Sequence, residues 1–216
     1  MASAARERRP TVTDGLMSML PARQGHFRLE SGLHTDLWLT LDALFVSPRA
    51  LMPFTAALAD RLRPFGASTV CGPLVGGAFL AQAVATELGL QFCFSEPIPS
   101  SASPDLFAVE YQLPRELRKR LHGEQVALVD DVISAGSSVR ATAGALGAAG
   151  ASIVAVGTLL ALGSMAIDHF GSLGIPLEAL ERLPFSTWDP ATCPLCGAGV
   201  PLEDPVQARG VAPSDS

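Results

Sequence analysis

Apolar residues recur at two spacings along the chain, and the switch between them marks its elements. Short apolar runs bounded by glycine, proline or serine read as buried strands: Ser68 to Cys71, Leu90 to Phe94, Gln125 to Val129 and Ser152 to Leu160. Between them the spacing is helical. Ser47-Pro48 is an N-cap followed by proline at the first helical position, and Leu51, Phe54, Leu58 and Leu62 follow at intervals of three or four. Pro53 falls inside that pattern and predicts a kink or a later start. Ala78 to Leu88 predicts a second helix, closed by Gly89, and Ser137 to Ala149 a third. Phe107 to Tyr111 alternates as a strand does, and Arg115 to Leu121 reads as a short basic helix or turn. Ser95 to Pro104, rich in serine and proline, reads as a loop. Strands alternating with helices predict an α/β fold, a mostly parallel sheet with helices on both faces. Ligand loops then belong at the carboxyl ends of its strands.

The expected organisation is a loose tail over 1–14, one domain over 15–190, and a segment over 191–216 that carries Cys193-Pro-Leu-Cys196. Ala141 to Ile167 has no charge and is long enough to cross a bilayer. Gly144, Gly147, Gly150, Gly157 and Gly163 interrupt it, so it reads as helix, turn and buried strand. The first ten residues are charged, with no apolar stretch of signal-peptide type behind them, and the expectation is a soluble cytoplasmic protein with no membrane partner.

Composition narrows the function classes. Apolar residues make up 48% of the 216 and charged residues 17%, which excludes a disordered chain. A net charge of −6 argues against nucleic acid as the main partner. Cys71 and Cys93 lie in apolar runs and read as small buried hydrophobes. Cys193 and Cys196 have zinc-knuckle spacing, but no second pair and no following histidine accompany them. A half site completed by His169 or by a partner chain, a redox pair, and two idle thiols are the options; the lack of visible ligands favours idle thiols, and no metal ligand is assigned. His34 and His122 receive no role, and Trp38 reads as a core residue.

The chemistry is concentrated in Val126-Ala-Leu-Val-Asp-Asp-Val-Ile-Ser-Ala-Gly-Ser-Ser138. A buried strand delivers two adjacent acids, Asp130 and Asp131, at its carboxyl end. Ser134, Ser137 and Ser138 supply hydroxyls, while Ala135 and Gly136 let backbone N–H groups approach a ligand. The helix that begins near Ser137 adds the partial positive charge of its amino terminus. Together these make a cradle for a phosphate monoester. The acids suit sugar hydroxyls, Mg²⁺ or a carbon developing positive charge. A phosphorylated ribose reacting at its anomeric carbon has all of these features.

This stretch resembles the phosphoribosyl pyrophosphate (PRPP) signature of type I phosphoribosyltransferases. Phe27-Arg-Leu-Glu-Ser-Gly-Leu-His-Thr-Asp-Leu-Trp38 is similar to the amino-terminal stretch of the orotate branch of that family, and Ser47-Pro48 follows as it does there. Val70-Cys-Gly-Pro-Leu-Val-Gly-Gly-Ala78 looks like its pyrophosphate loop. The resemblance covers residues 25–160 and implies the type I phosphoribosyltransferase fold with a small hood, Mg²⁺ as cofactor and a homodimer. It implies transfer of the 5-phosphoribosyl group from PRPP to a nucleobase, orotate first. Asp130 and Asp131 would be catalytic, Ser134, Ala135, Gly136, Ser137 and Ser138 would bind the 5′-phosphate, and Gly72, Pro73, Leu74, Val75, Gly76 and Gly77 the pyrophosphate.

Four departures bear on that transfer. Glu30 stands where the family usually has Lys, and Val75 or Gly76 stands where its pyrophosphate loop has Lys. Ser95 to Pro114 holds no Lys or Arg, although the mobile loop of the family does. Leu159 to Gly163 lacks the Arg used for the orotate carboxylate. Departing pyrophosphate needs positive charge. Arg115 and Arg118, beside Lys119 and Arg120, are the expected replacements, with Arg23 or Arg28 as further sources. A PRPP-binding regulator without transfer activity, or an enzyme for another base, are the rival readings. No Gly-x-x-x-x-Gly-Lys-Ser/Thr or Gly-x-Ser-x-Gly occurs, so a nucleotide-triphosphatase P-loop and a serine-hydrolase elbow are excluded.

Overall fold

A computed structural model describes residues 12–29, 31–98 and 110–205, with backbone only for 12–14. Helix α1 (Val12–Ser18) precedes a hairpin of β1 (Ala22–Arg28) and β2 (His34–Leu39). A 3-10 turn over Leu41–Phe45 leads to α2 (Pro48–Leu62), β3 (Thr69–Pro73), α3 (Gly76–Leu88), β4 (Gln91–Ile98) and β5 (Glu110–Gln112). Then come α4 (Arg115–Arg118), β6 (Gln125–Ile133), α5 (Ser137–Ala148), β7 (Ser152–Leu162), α6 (Met165–Ser172) and β8 (Leu177–Leu183), followed by β9 (Thr187–Trp188) and α7 (Pro194–Gly197). The main sheet has the order β5-β4-β3-β6-β7-β8 and is parallel except for β5, which runs antiparallel to β4. A small antiparallel sheet, β1-β2-β9, forms a hood.

The uninterrupted apolar runs of the central strands are explained by two cores, one on each face of the main sheet. Val70, Ala127 and Val129 join α2 and α3 on one side. Cys71, Val126 and Leu128 join Val139 and Leu146 of α5 and Phe170 of α6 on the other. Successive side chains of a strand point to opposite faces, so each strand feeds both cores.

Helix α2 runs through Pro53, where the sequence predicts a kink or a later start. The proline lies on the exposed side, while Leu51, Phe54, Leu58 and Leu62 are buried, and that burial outweighs one lost backbone hydrogen bond. Ser47 stands at the expected N-cap but makes no side-chain cap; its carbonyl accepts the N–H groups of Ala50 and Leu51. Gly76 and Gly77, expected in a loop, form the first turn of α3, and Gly89 closes it with φ 69°. Strand β4 continues past Phe94 because Glu96, Pro97 and Ile98 pair with β5. The expected loop over 99–104, the beginning of the Phe107–Tyr111 strand and the tail before Val12 lie outside the described residues. The uncharged stretch from Ala141 divides into the end of α5, a turn at Gly150, β7 and the start of α6. Among the described residues no helix is long and apolar enough to cross a membrane.

At Gly157 of β7, α2 packs closely against the sheet. A Cβ there would sit 2.8 Å from Leu62 Cδ1 and 3.2 Å from Val129 Cγ1. Gly157→Ala is expected to lower unfolding free energy by about 1–3 kcal/mol through overpacking. Gly144→Ala, in open space on α5, is expected to raise it by about 0.5–1 kcal/mol. Urea titration of both variants checks the pair; equal shifts would contradict the packing described.

Candidate active site

Strand β6 carries straight through both acids and ends at Ile133. Asp130 and Asp131 are 6% and 7% exposed, so both carboxyls are almost removed from water. Asp130 Oδ1 accepts the Asp131 N–H at 3.1 Å, and its Oδ2 accepts the Ser138 hydroxyl at 2.8 Å. Asp131 Oδ1 accepts the Val132 N–H at 2.8 Å, and the Thr158 hydroxyl donates to the Asp131 carbonyl at 3.0 Å. These bonds hold the two side chains in place before any ligand arrives.

The loop after β3 closes against them. A Cβ on Gly76 would overlap Asp131 Oδ2, and one on Gly77 would lie 2.6 Å from Asp130 Oδ1. A Cβ on Gly72 would overlap the Gly77 carbonyl. Glycine at these places lets backbone pack directly on carboxylates. The Leu74–Val75 peptide bond is cis, and the Leu74 N–H donates to the Ser95 carbonyl at 2.8 Å. On the other side of the acids the chain turns through Gly136, whose φ of 79° suits a residue without a Cβ, into the 12-residue helix α5.

Pro73 to Gly76, both acids and the whole stretch Ser134 to Ser138 line one cavity of about 340 Å³. Trp38 and Asp42 reach it from the hood side, Tyr111 from β5 and Phe185 from the segment after β8. A second cavity shares Ser134, Ala135, Leu162 and Phe185 with the first and extends toward Gly163 and Ser164. The two cavities are therefore adjacent, and the Ser134–Ser138 turn lies beside the acids in the first.

Charge in the main cavity is one-sided. Asp42, Asp130 and Asp131 line it, and among the described residues no Lys or Arg does. Burial, then the neighbouring Asp131, hold the Asp130 carboxyl well above the ordinary carboxylate range. Burial also raises Asp131, and Asp42 adds repulsion. Such a cluster of hard oxygen donors suits a divalent cation, which would offset the repulsion.

The predicted site residues divide accordingly. Both acids, Ser134 to Ser138 and Pro73 to Gly76 come together; Gly77 touches an acid, and Gly72 shapes the loop. Arg115 and Arg118 do not join them. Helix α4 precedes the turn into Gln125, where β6 begins, whereas the acids stand toward its other end. Neither arginine lines the cavity, and Lys119 pairs with Glu116 at 2.7 Å. Arg23 pairs with Glu203 at 3.0 Å, and Arg28 lies 3.8 Å from Asp204. Trp38, expected in the core, lines the cavity. Asp42, Tyr111 and Phe185 carry no local motif and become site residues only through folding. Glu30 lies outside the described residues.

A family model for the phosphoribosyl transferase domain matches residues 42–169. The chain belongs to the phosphoribosyltransferase family. The matched segment spans both the glycine loop and the acid pair, and leaves β1, β2 and the Cys-Pro-Leu-Cys segment outside. The phosphoribosyltransferase chain is similar to the protein named orotate phosphoribosyltransferase in Caldanaerobacter subterraneus subsp. tengcongensis, with 31% identity over 84% of this chain and 88% of that protein. It is 32% identical to the protein of that name in Thermotoga maritima, over 84% of this chain and 90% of that protein. The crystal structure of orotate phosphoribosyltransferase from Aeropyrum pernix shares its fold, with a TM-score of 0.60 and 20% identity over 80% of this chain and 94% of that one.

The raised Asp130 sets a pH dependence. A carboxyl whose folded value lies above its unfolded one favours folding fully below the unfolded value, near 4, and this contribution is lost as pH rises through the folded value. Asp130→Asn, measured without metal or phosphate ligands, is expected to raise the melting temperature at pH 8, with the gain disappearing by about pH 4. An unchanged midpoint at pH 8 would show that the pair is not strained by charge.

Proposed function

We propose that this phosphoribosyltransferase moves the 5-phosphoribosyl group of PRPP to a ring nitrogen of a nucleobase, orotate in the first instance, and releases pyrophosphate. The observation that carries the reading is the buried Asp130–Asp131 pair, enclosed in one cavity between the glycine loop and the phosphate cradle. The orotate assignment draws on the names of the two curated relatives.

The N–H groups of the Ser134–Ser138 loop and the amino terminus of α5 receive the 5′-phosphate. Asp130 and Asp131 accept hydrogen bonds from the ribose 2′- and 3′-hydroxyls. As the bond from the anomeric carbon to pyrophosphate breaks, its electron pair leaves with the pyrophosphate oxygen, and positive charge spreads over the anomeric carbon and ring oxygen. The nearby carboxylates stabilise that charge, most strongly in a site without water. The base nitrogen then supplies the pair for the new C–N bond, and its proton passes to the departing pyrophosphate. The backbone of Gly72 to Gly77 faces the leaving group, and Trp38 or Phe185 offers an apolar face for a flat base. Asp42, Asp130 and Asp131 are the residues that would hold Mg²⁺ beside PRPP, and the ion would supply the positive charge that the cavity side chains lack. A homodimer is proposed by analogy with the family.

A second reading has one observation in its favour: no Lys or Arg lines the described cavity. A protein that keeps the cradle but lacks cations for pyrophosphate could bind PRPP as a regulator. Incubation with PRPP, Mg²⁺ and a panel of bases separates the readings. Pyrophosphate release with orotate is expected. Release only with another base moves the acceptor, and PRPP binding without release for any base supports the regulator. Asp130→Asn and Asp131→Asn are each expected to cut turnover by about 100-fold or more. The double variant Arg115→Gln/Arg118→Gln is expected to leave the PRPP concentration for half-maximal rate unchanged, because α4 lies off the cavity; a several-fold rise would return these arginines to the site.

A further inference from the structure

His26 of β1, His34 of β2, and Cys193 and Cys196 at α7 come from segments more than 150 residues apart, yet one ligand atom from each lies within 4.8 Å of all the others. The separations are His26 Nε2 to His34 Nδ1 3.0 Å, His26 Nε2 to Cys193 Sγ 3.5 Å and to Cys196 Sγ 3.7 Å, and His34 Nδ1 to Cys196 Sγ 3.3 Å. A tetrahedral zinc ion with ordinary bond lengths would place ligand atoms apart by about 3.3 Å for N–N, 3.6 Å for N–S and 3.8 Å for S–S. The side chains thus already stand near the corners of such a polyhedron.

Protons alone do not explain the cluster. His26 Nδ1 lies 2.8 Å from the Val200 carbonyl, which can only accept, so this nitrogen carries the hydrogen. In the neutral ring, Nε2 then presents a lone pair, and three polar atoms converge on it. One lone pair serves one donor well; a shared cation satisfies all four groups. The Val200 contact is also the kind of outer hydrogen bond that orients a zinc-bound histidine.

We propose that His26, His34, Cys193 and Cys196 bind one Zn²⁺ as a structural Cys₂His₂ site that fastens the carboxy-terminal segment to the hood. Both thiols lose their protons to solvent on binding, and the histidines bind as neutral rings. Four protein ligands leave no position for water or substrate, so the ion has no part in catalysis. Existing contacts run the same way: Arg28 N–H donates to the Glu203 carbonyl at 2.9 Å, Glu203 N–H donates to the His26 carbonyl at 2.8 Å, and Arg23 pairs with Glu203. His34 stands on the same strand as Trp38, so the site braces one wall of the substrate cavity. His169, which the sequence offers as a completing ligand, sits on α6 outside the cluster.

The full chain, produced in zinc-supplemented medium and purified under reducing conditions without chelator, is expected to hold about one zinc per chain by elemental analysis. Cys193→Ser and His26→Asn should fall below about a tenth of that, and His169→Ala should keep it. Should the variants fail to fold, the native chain still decides: after chelator treatment, cobalt(II) titration is expected to give tetrahedral ligand-field bands and thiolate charge-transfer absorption, saturating at about one equivalent. Absence of bound zinc together with absence of those bands would overturn the site. Full zinc content in folded Cys193→Ser and His26→Asn proteins would also overturn it, as would a Cys193–Cys196 disulfide in the reduced preparation.

Discussion

Two neighbouring carboxyls held out of water at the end of a buried strand repel each other, and the loop that faces them leaves no space for a side chain. The rest of the cavity is arranged around that contact. Asp130 and Asp131 keep their places because backbone N–H groups and the Ser138 hydroxyl hold them. Gly76 and Gly77 can approach because they have no Cβ. The two cores keep β3 beside β6, and with them the glycine loop beside the acids. The energetic penalty of burying like charges is the physical counterpart of a site suited to positive charge, whether a divalent ion or a developing oxocarbenium.

That arrangement leaves an asymmetry between ligand and cavity. PRPP and pyrophosphate are strongly anionic, yet the described lining contributes three carboxylates and no basic side chain. Backbone N–H groups and a helix amino terminus can receive one phosphate without formal charge. Under the function proposed above, a metal-bound form of PRPP would match this cavity better than the free anion.

The hood adds a second layer of organisation. Strand β2 carries both Trp38, which lines the cavity, and His34, which joins His26 of β1 in the His–Cys cluster. The carboxy-terminal segment returns to β1 through Glu203. The hood that carries Trp38 is thus packed against a segment about 165 residues further along the chain.

Legibility in the sequence followed the distance over which each feature is encoded. The acid pair, the small-residue turn and the helix behind it are contiguous, so strand, turn and helix could all be read from residues 126–138. The glycine loop was equally local, although its fit against the acids was not. Arg115 and Arg118 do not line the described cavity, and the sequence could not show this, because a charge run states composition but not which end of a strand it adjoins. Trp38 looked like core because its exposure to a cavity depends on what the opposite wall leaves open. Cys193 and Cys196 read as idle thiols because the histidines beside them lie far away in sequence, on a hairpin that only the folded chain brings to them. The sequence by itself determined the alternating α/β order and the phosphate-and-sugar chemistry, since periodicity and short motifs act through neighbouring residues. Tertiary structure alone decided the cavity walls, its one-sided charge and the four-ligand cluster, since each arises where distant segments pack.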